Sequence, residues 1–454
     1  MRGDDEVKGD WTTGSVLKAV FCISLPYILS YFLQTFYGMA DLLIVGQFAG
    51  VESTTAVAIG SQVMHMLTVI IVGLSMGTTV VVARSVGAGD RASIARQIGN
   101  SAALFMSLSL VLTGFLILGV RPIVAWMSTP TEAVPGTVSY LLICFAGIPF
   151  ITAYNLISSI FRGLGDSVSP MYFIAVACAA NVLLDYLFMG VFGWGPAGAA
   201  LATVLSQLLS AGAGLVLLFH RLRDSPVRRS DFLLDRSVLA RIFGIGLPIA
   251  VQDGLIQVAF IVITIIANQR GLTDAAAVGI VEKVICFIFL VPSAMLSTVS
   301  ALSAQNIGAN KWGRAIQTLW YAVMIATGFG VVVSILVQFN PNPCIALFTH
   351  DAAVVKAGGE YFRGYILDCI FAGIHFSFSG FFCACGKSII SFAHNFISIV
   401  IVRVPGVYFA SKWWPETLFP MGIATALGSI VSVVICLVVF VWLLRRPRLA
   451  IRGL

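Results

Sequence analysis

The sequence predicts an all-α integral membrane protein with twelve transmembrane helices in two parallel six-helix repeats. Of the 454 residues, 59% are hydrophobic and 10% are charged, and the mean hydropathy is +0.97, more apolar than any soluble core could hide. We identify twelve apolar segments of roughly 20 residues or more, the length that a helix needs to cross a membrane. Short motifs also recur along the chain at a nearly constant spacing.

The recurring motifs divide the chain into two halves. The stretches 85–89 and 161–167 recur at 306–310 and 382–388, each 221 positions later. The stretch 24–26 returns at 246–248, after 222 positions. Internal repeats in a membrane chain are typical of transporters whose site lies between or inside the halves. We therefore predict an N-terminal lobe at 1–220, a cytoplasmic linker at 221–237 and a C-terminal lobe at 238–454.

The basic residues predict the orientation of the chain, because Lys and Arg favour cytoplasmic loops. They concentrate in the connections after even-numbered helices, at Arg84, Arg91, Arg96, Arg162, six arginines between 221 and 241, Lys311, Arg314 and Lys387. The tail after the last helix adds Arg445, Arg446, Arg448 and Arg452. We expect both termini to be cytoplasmic. Because each half has an even number of spans, the repeat is parallel.

The same composition argues against other classes of protein. The net charge of +7 follows from the loops, so we expect no nucleic-acid partner. The five histidines are dispersed, and we find no His-Glu-x-x-His motif, nucleophile elbow or ATP-binding loop. An integral membrane enzyme is therefore the least favoured alternative, and we expect no cofactor. The nine cysteines are scattered and predict neither a disulfide framework nor a zinc site.

Ionisable side chains inside membrane segments mark candidate sites, since an Asp near a helix centre costs about 2.5–3.5 kcal/mol. Asp41 lies towards the outer end of the first helix, Asn181 and Asp185 lie one turn apart on the fifth, and Thr203 lies early in the sixth. Two carboxylates, a carboxamide and a hydroxyl at one depth suit a hard cation or a shared proton. Alternatively, Asp41 caps a helix end near water and Asp185 hydrogen-bonds within the bundle.

At these residues the sequence resembles the multidrug and toxin extrusion (MATE) family. The stretches 39–46, 84–89, 161–167, 196–203 and 304–309 are similar to motifs of that family, and the similarity covers nearly the whole chain. The resemblance implies a V-shaped bundle of twelve helices.

The resemblance is strongest to the bacterial DinF-like branch, which has an acidic site in its first lobe. It implies Na⁺ or H⁺ binding by Asp41, Asn181, Asp185 and Thr203. It also implies that Tyr140 and a backbone carbonyl near Ala199 lie alongside, and we expect no other metal.

The second half departs from the NorM-like branch, whose site resembles one built on acidic residues of helices seven and ten. Asp253 and Asp368 lie roughly a turn from the positions that this branch predicts. We expect Asp368 to pair with Arg403, since ion pairs facing the bundle are the usual way to accommodate membrane charges. Glu282 and Lys283, in helix eight, are also interpreted as structural.

Two further predictions concern transport itself. Pro26 removes a backbone donor from helix one and is a candidate hinge, although a static kink explains it equally well. Large, adaptable side chains suit a substrate cavity and aromatic faces attract organic cations, although packing alone also accounts for such residues. The possible cavity residues are Phe36, Tyr37, Met64, Phe150, Phe287 and Phe376.

These observations predict a cation-coupled antiporter that exports drugs or organic cations by alternating access. The alternative is a flippase of the same superfamily that moves a lipid-linked precursor. We expect a monomer surrounded by membrane lipid.

Overall fold

The computed structural model describes residues 11–223 and 227–445, and within these ranges all regular secondary structure is helical. The predicted features that fall at 1–10, 224–226 and 446–454, including Arg446, Arg448 and Arg452 of the basic tail, lie outside the described residues.

Within the described residues, the first half contains eight α-helices. They are α1 (Val16–Phe48), α2 (Val51–Ala88), α3 (Arg91–Leu118), α4 (Val120–Trp126), α5 (Val134–Ala146), α6 (Ile148–Gly163), α7 (Val168–Asp185) and α8 (Gly195–Arg221). A π-helical segment, Tyr186–Val191, continues α7, and a 3₁₀ turn, Arg229–Phe232, lies in the linker.

The described part of the second half contains ten α-helices, because several of its spans are interrupted. They are α9 (Arg236–Asn268), α10 (Leu272–Ile288), α11 (Leu290–Gly308), α12 (Trp312–Phe339), α13 (Asn342–Ala346), α14 (Ala352–Tyr365), α15 (Leu367–Ala384), α16 (Ser388–Phe396), α17 (Val404–Trp413) and α18 (Phe419–Arg445). A second π-helical segment, Ile397–Arg403, joins α16 to α17.

The number of membrane spans agrees with the predicted twelve. Eleven helical segments of the described chain are long and apolar enough to cross a membrane, and some of them consist of two consecutive helices, such as α10 with α11 and α14 with α15. The pair α5 and α6, bent by 49°, gives the twelfth when it is counted as one span. The bend lies at Gly147, where a Cβ atom would lie 2.9 Å from a methyl group of Val204 on α8. The predicted all-α membrane fold is confirmed.

The repeated motifs form repeated turns. Gly89 and Asn310, which occupy equivalent positions, both have positive φ angles, of 70° and 59°. Gly165 and Gly386 are likewise equivalent, with φ angles of 83° and 70°. Glycine and asparagine adopt this left-handed conformation most readily, which explains why these residues recur. The sequence repeat therefore has a structural counterpart at two helix ends in each half.

The described chain divides into two compact units. The first unit contains Leu29–Gly246, and the second contains Trp11–Ile28 with the chain from Leu247 onward. Residues 16–28 of α1 thus belong to the second unit, and residues 236–246 of α9 belong to the first. These boundaries follow spatial contacts, whereas the lobes at 1–220 and 238–454 follow the sequence repeat and stay a prediction.

The beginning of α9 packs closely on α2 inside the first unit. A Cβ atom on Gly77 would lie 3.2 Å from the backbone nitrogen of Gly246, and one on Gly246 would lie 3.0 Å from the Cα atom of Leu74. Such short distances leave no room for side chains, so the two backbones pack directly against each other.

The linker is fixed to α3 in the same unit. The Asn100 side chain, fully buried, donates from Nδ2 to the carbonyl oxygen of Asp231 at 2.8 Å and accepts at Oδ1 from the backbone N–H of Asp235 at 2.6 Å. Arg96 forms an ion pair with the Asp235 carboxylate. In the second unit, the segment before α1 is held by Arg314, which donates to the carbonyl oxygens of Thr13 and Gly14 at 3.0 and 2.8 Å.

Candidate cation-binding site

The first unit brings together most of the polar residues predicted from its sequence. The carboxyl groups of Asp41 on α1 and Asp185 at the end of α7 face each other. Tyr37, one helical turn before Asp41, lies near both carboxyl groups, and its hydroxyl lies beside Thr203 of α8. Asn181 lies one turn before Asp185 on α7 and shares its side of that helix.

Burial of the carboxyl groups of Asp41 and Asp185 without hydrogen-bond donors is energetically unfavourable. Asp41 is 4% exposed, and Asp185 and Asn181 are fully buried. Among the residues that the structure describes, no donor reaches Oδ1 of Asp41 or either carboxylate oxygen of Asp185, and the amide of Asn181 makes no hydrogen bond. An unpaired buried polar group costs about 1–3 kcal/mol, and more when it is charged. A shared proton or a bound cation would supply the positive charge that these oxygens lack.

The chemistry of the donors fits either species. A Na⁺ ion is a hard cation that prefers oxygen ligands, as Ca²⁺ and Mg²⁺ do. Asp41 and Asp185 offer carboxylate oxygens, Asn181 offers a carboxamide oxygen and Thr203 offers a hydroxyl. The unpaired carboxylate oxygens of Asp185 and the unpaired amide oxygen of Asn181 are free to accept it.

Tyr140 of α5 lies at the edge of this group. Its phenol is near Asp41, Tyr37 and Cys144, and its hydroxyl forms a 3.0 Å hydrogen bond with Ser61 of α2. Tyr140 is only 2% exposed. Ala199, predicted to contribute a carbonyl, is fully buried in the same apolar cluster as Tyr140. The structure thus places Tyr140 and Ala199 in the unit that contains the acidic pair.

A π-helical segment begins immediately after Asp185. The segment Tyr186–Val191 has the wider winding of a π-helix and continues the span that starts with α7. The Tyr186 ring contacts the Phe48 ring of α1, with centroids 5.4 Å apart. π-helical segments frequently occur at functional sites. Here the π-helical segment directly follows the carboxylate-bearing turn of α7 and contacts the C-terminal end of α1.

The predicted cavity residues are distributed over both units. Met64 is 8% exposed and lies in the apolar core of the first unit, whereas Phe36 and Phe150 are 49% and 37% exposed. In the second unit, Phe287 is half-buried, and the half-buried Phe376 packs edge-to-face on Phe289 with centroids 6.3 Å apart. Their role in a substrate cavity stays a prediction.

In the second unit, the buried carboxylate of Asp368 has a basic partner. Asp368 of α15 is fully buried and accepts a hydrogen bond from Arg403, so the predicted ion pair is confirmed. Arg403 also lies over the Tyr365 ring, 5.9 Å from its centroid. Glu282 accepts a hydrogen bond at 3.3 Å from Thr264. A guanidinium therefore supplies at Asp368 the positive charge that Asp185 lacks.

Sequence reasoning missed three members of the first group. Tyr37 was assigned to the substrate cavity, yet its spacing of four residues from Asp41 is the signal that could have placed it beside the acid. Ser61 and Cys144 are ordinary residues of apolar helices, and no local pattern distinguishes them. Only the packing of α2 against α5 brings Ser61 to Tyr140.

Comparison with known proteins agrees with this fold. The MatE family model matches the chain twice, over residues 26–187 and 248–409. The probable multidrug resistance protein YpnP of Bacillus subtilis is 28% identical over 91% of this chain and 93% of its own length. A FAD transporter of Shewanella oneidensis is 24% identical over 86% of each chain.

Solved structures show the same architecture. A multidrug resistance MATE family transporter in an outward-facing conformation superposes with a TM-score of 0.89 at 22% identity, over the full length of both chains. At this identity the likeness shows the fold alone. The two matched stretches of the family model together cover more than half of the sequence and correspond to its two halves. The chain therefore belongs to the MatE family of multi-pass membrane transporters.

Proposed function

We propose that this protein is a cation-coupled antiporter that exports drugs or organic cations across the bacterial cytoplasmic membrane. The observation that supports this proposal most is that the buried carboxyl groups of Asp41 and Asp185 face each other. No described residue donates a hydrogen bond to Oδ1 of Asp41 or to either carboxylate oxygen of Asp185. Such a pair is stable with a proton or a Na⁺ ion between its oxygens and unstable without either. Binding and release of that cation are therefore linked to the conformation of the surrounding helices.

The coupling follows from differential affinity. A cation shifts the equilibrium between inward- and outward-facing states only if it binds one state more tightly. Asp41 lies on α1, whereas Asn181 and Asp185 lie on α7, so a movement of α1 relative to α7 changes the number of oxygens around the cation. Export of the substrate is then driven by entry of the cation.

We further propose that both termini are cytoplasmic and that the protein functions as a monomer.

The similarity to the probable multidrug resistance protein YpnP supports multidrug export and a role in antibiotic resistance. The FAD transporter, of similar identity, moves a flavin nucleotide. A substrate panel should therefore contain a cationic dye, a fluoroquinolone-type drug and FAD. A lipid-linked sugar tests the flippase alternative, and flux of that lipid alone would replace our proposal with it.

The decisive experiment uses purified protein in liposomes. Export of the dye is measured with an imposed Na⁺ gradient and, separately, with an imposed pH gradient. Asp41→Asn keeps the size of the side chain but removes its charge, so we expect coupled export to be lost. Asp253→Asn on α9, a partly buried carboxylate outside the pair, is the matched control. Export by Asp41→Asn at the parental rate would exclude this pair as the coupling site.

A further inference from the structure

We propose that Gly60 and Ser61 of α2 are positioning residues that hold the Tyr140 hydroxyl beside the acidic pair, and so set the affinity of the site for Na⁺. This inference rests on the proposed function, because it deepens the description of the same site. It concerns two residues that contact Tyr140 and are proposed to act through it. Their effect passes through the orientation of Tyr140.

The first argument is steric. A Cβ atom on Gly60 would lie 2.8 Å from Cε1 of the Tyr140 ring and 3.2 Å from Cγ, closer than a ring can tolerate. The phenol therefore packs directly against α2 at Gly60, where any larger residue would place a Cβ atom against the ring. One turn earlier on both helices, Ala56 faces Gly136, whose Cβ atom would lie 3.0 Å from the Ala56 methyl. Small residues at this spacing let α2 and α5 approach closely.

The second argument concerns the hydroxyl. Ser61 is the next residue on α2, and its Oγ lies 3.0 Å from the Tyr140 hydroxyl oxygen. When Ser61 donates to this oxygen, the phenolic proton is free to point towards Asp41. When Tyr140 donates to Ser61, its oxygen lone pairs are available to a cation. In either arrangement the serine fixes the position of the phenolic oxygen at the edge of the site.

Other side chains near the Tyr140 phenol are weaker anchors from outside the site. Asp41 and Tyr37 of α1 and Cys144 of α5 also lie near this phenol. Asp41 and Tyr37 belong to the site itself, and Cys144 lies one turn along the same helix as Tyr140. A thiol is a weak hydrogen-bonding group. Ser61 is therefore the strongest support for the hydroxyl that comes from outside the site.

The test measures binding rather than transport. Thermal unfolding of the purified protein is followed at increasing NaCl, with choline chloride keeping the ionic strength constant, and the rise in Tm yields the apparent Kd for Na⁺. Loss of one hydrogen bond corresponds to about a two- to tenfold change in affinity. We expect Ser61→Ala to weaken Na⁺ binding by this factor, Ser61→Thr to restore it and Gly60→Ala to weaken it more.

Two controls separate positioning from general damage. Ser75→Ala removes a buried hydroxyl on the same helix, bonded to Ser159 at 2.8 Å, and should lower Tm at every NaCl concentration without changing the Kd. In a Tyr140→Phe background, Ser61→Ala should have no further effect on the Kd. Unchanged Na⁺ affinity in Ser61→Ala, or an effect of the same size in the Tyr140→Phe background, would overturn the proposal.

Failure of this inference is distinguishable from failure of the proposed function. A parental protein that shows no Na⁺-dependent rise in Tm would refute the role of Gly60 and Ser61 in Na⁺ binding. The same protein could still export the dye under a pH gradient in an Asp41-dependent way, which would leave the antiport proposal standing.

Discussion

Asp185 illustrates a conflict between stability and function at a single residue. Its two carboxylate oxygens are buried, and no described residue donates to them. In Asp185→Asn, the new amide can donate to Asp41, so a repulsive contact becomes a hydrogen bond. We therefore expect thermal unfolding of Asp185→Asn, in detergent without Na⁺, to occur at or above the parental Tm. Cation-coupled export should nevertheless be lost or strongly reduced, as is common for destabilised functional sites.

The opposite outcome would be informative. A Tm well below that of the parent would mean that the Asp185 carboxylate is paired in the folded protein, contrary to the arrangement described above. Asn181→Leu provides a comparison in the same turn, since it removes an amide that makes no hydrogen bond among the described residues.

Asp368 should behave in the reverse manner. Asp368→Asn leaves the buried Arg403 without its carboxylate, and breaking a buried ion pair from one side typically costs about 3–5 kcal/mol. We expect a large drop in Tm while the Na⁺ or pH dependence of residual export stays parental. The double variant Asp368→Leu with Arg403→Met should recover much of the lost Tm, because it removes both charges. A changed ion dependence in Asp368→Asn would move the coupling site to the second unit.

Much of the first site was predictable at the residue scale, because membrane carboxylates are rare and helical spacing is regular. Asp41, Asn181 and Asp185 stand out for these reasons alone. Gly60 and Ser61 do not, since they lie 79 residues or more before the side chain that they support. Their role depends on the register of α2 against α5, and a single sequence contains no signal for that register.

At the scale of elements, α1 is the helix that best links cation binding to movement. Its residues 16–28 belong to the second unit and the remainder to the first, so the change of unit falls within three residues of Pro26. Pro26 interrupts the backbone hydrogen bonds at this point. Asp41 lies 15 residues further, or about 22 Å along the helix. A bend at Pro26 would therefore displace Asp41 from Asp185.

Spin labels test this movement. Labels at the exposed positions Phe21 and Leu43, each paired with Val176 on α7, are introduced after the exposed Cys22 and Cys286 are replaced by Ser. We expect the Leu43–Val176 distance distribution to change with Na⁺ or pH, because Asp41 is released from α7. Identical distributions in all conditions, in protein that transports, would favour a static kink and rigid movement of whole lobes.

The linker should not contribute to the pH dependence. Hydrogen bonds from the hydroxyl and backbone N–H of Ser237, together with Arg96, hold the pKa of Asp235 below its usual range. A lowered pKa means that the stabilising carboxylate is fully present above the ordinary Asp pKa of about 3.9 and is lost only as pH falls through the lowered value. Asp235 therefore stays charged between pH 5 and 8, because even the ordinary Asp pKa lies below this range.

This gives a prediction for the linker. Asp235→Asn should leave the pH profile of export between pH 5 and 8 unchanged, whereas Asn100→Ala should lower Tm, because it removes both hydrogen bonds that attach the linker to α3. The two variants are compared by thermal unfolding and by export at several pH values. A shifted pH profile in Asp235→Asn would make the linker part of the pH response.

The spans themselves were predictable, since length and hydropathy define them. The bend of 49° between α5 and α6 and the two π-helical segments were not. These features depend on packing against neighbouring helices, as at Gly147 against Val204. Such packing cannot be predicted from amino-acid composition.

At the scale of the whole molecule, the first helix of each half begins in the unit formed mainly by the other half. A fragment that ends at residue 223 therefore lacks the segment 236–246 that covers Leu74 and Gly77 of α2. We expect such a fragment to be degraded in cells, and a fragment that ends at Gly246 to accumulate to a higher level. Immunoblots of membrane fractions measure this difference, and equal levels would show that the segment contributes little to the first unit.

This exchange also bears on how such a chain could arise. A single ancestral half would have left its second helix uncovered, since the segment that packs there in this protein comes from the following half. Two copies that exchanged the beginnings of their first helices, as residues 16–28 and 236–246 exchange units here, would have resembled a swapped dimer with a closed interface. Fusion of the two genes would then have made an existing partnership permanent. In that history, the linker tied to Asn100 is the remnant of a junction between two chains, and association preceded duplication into one polypeptide.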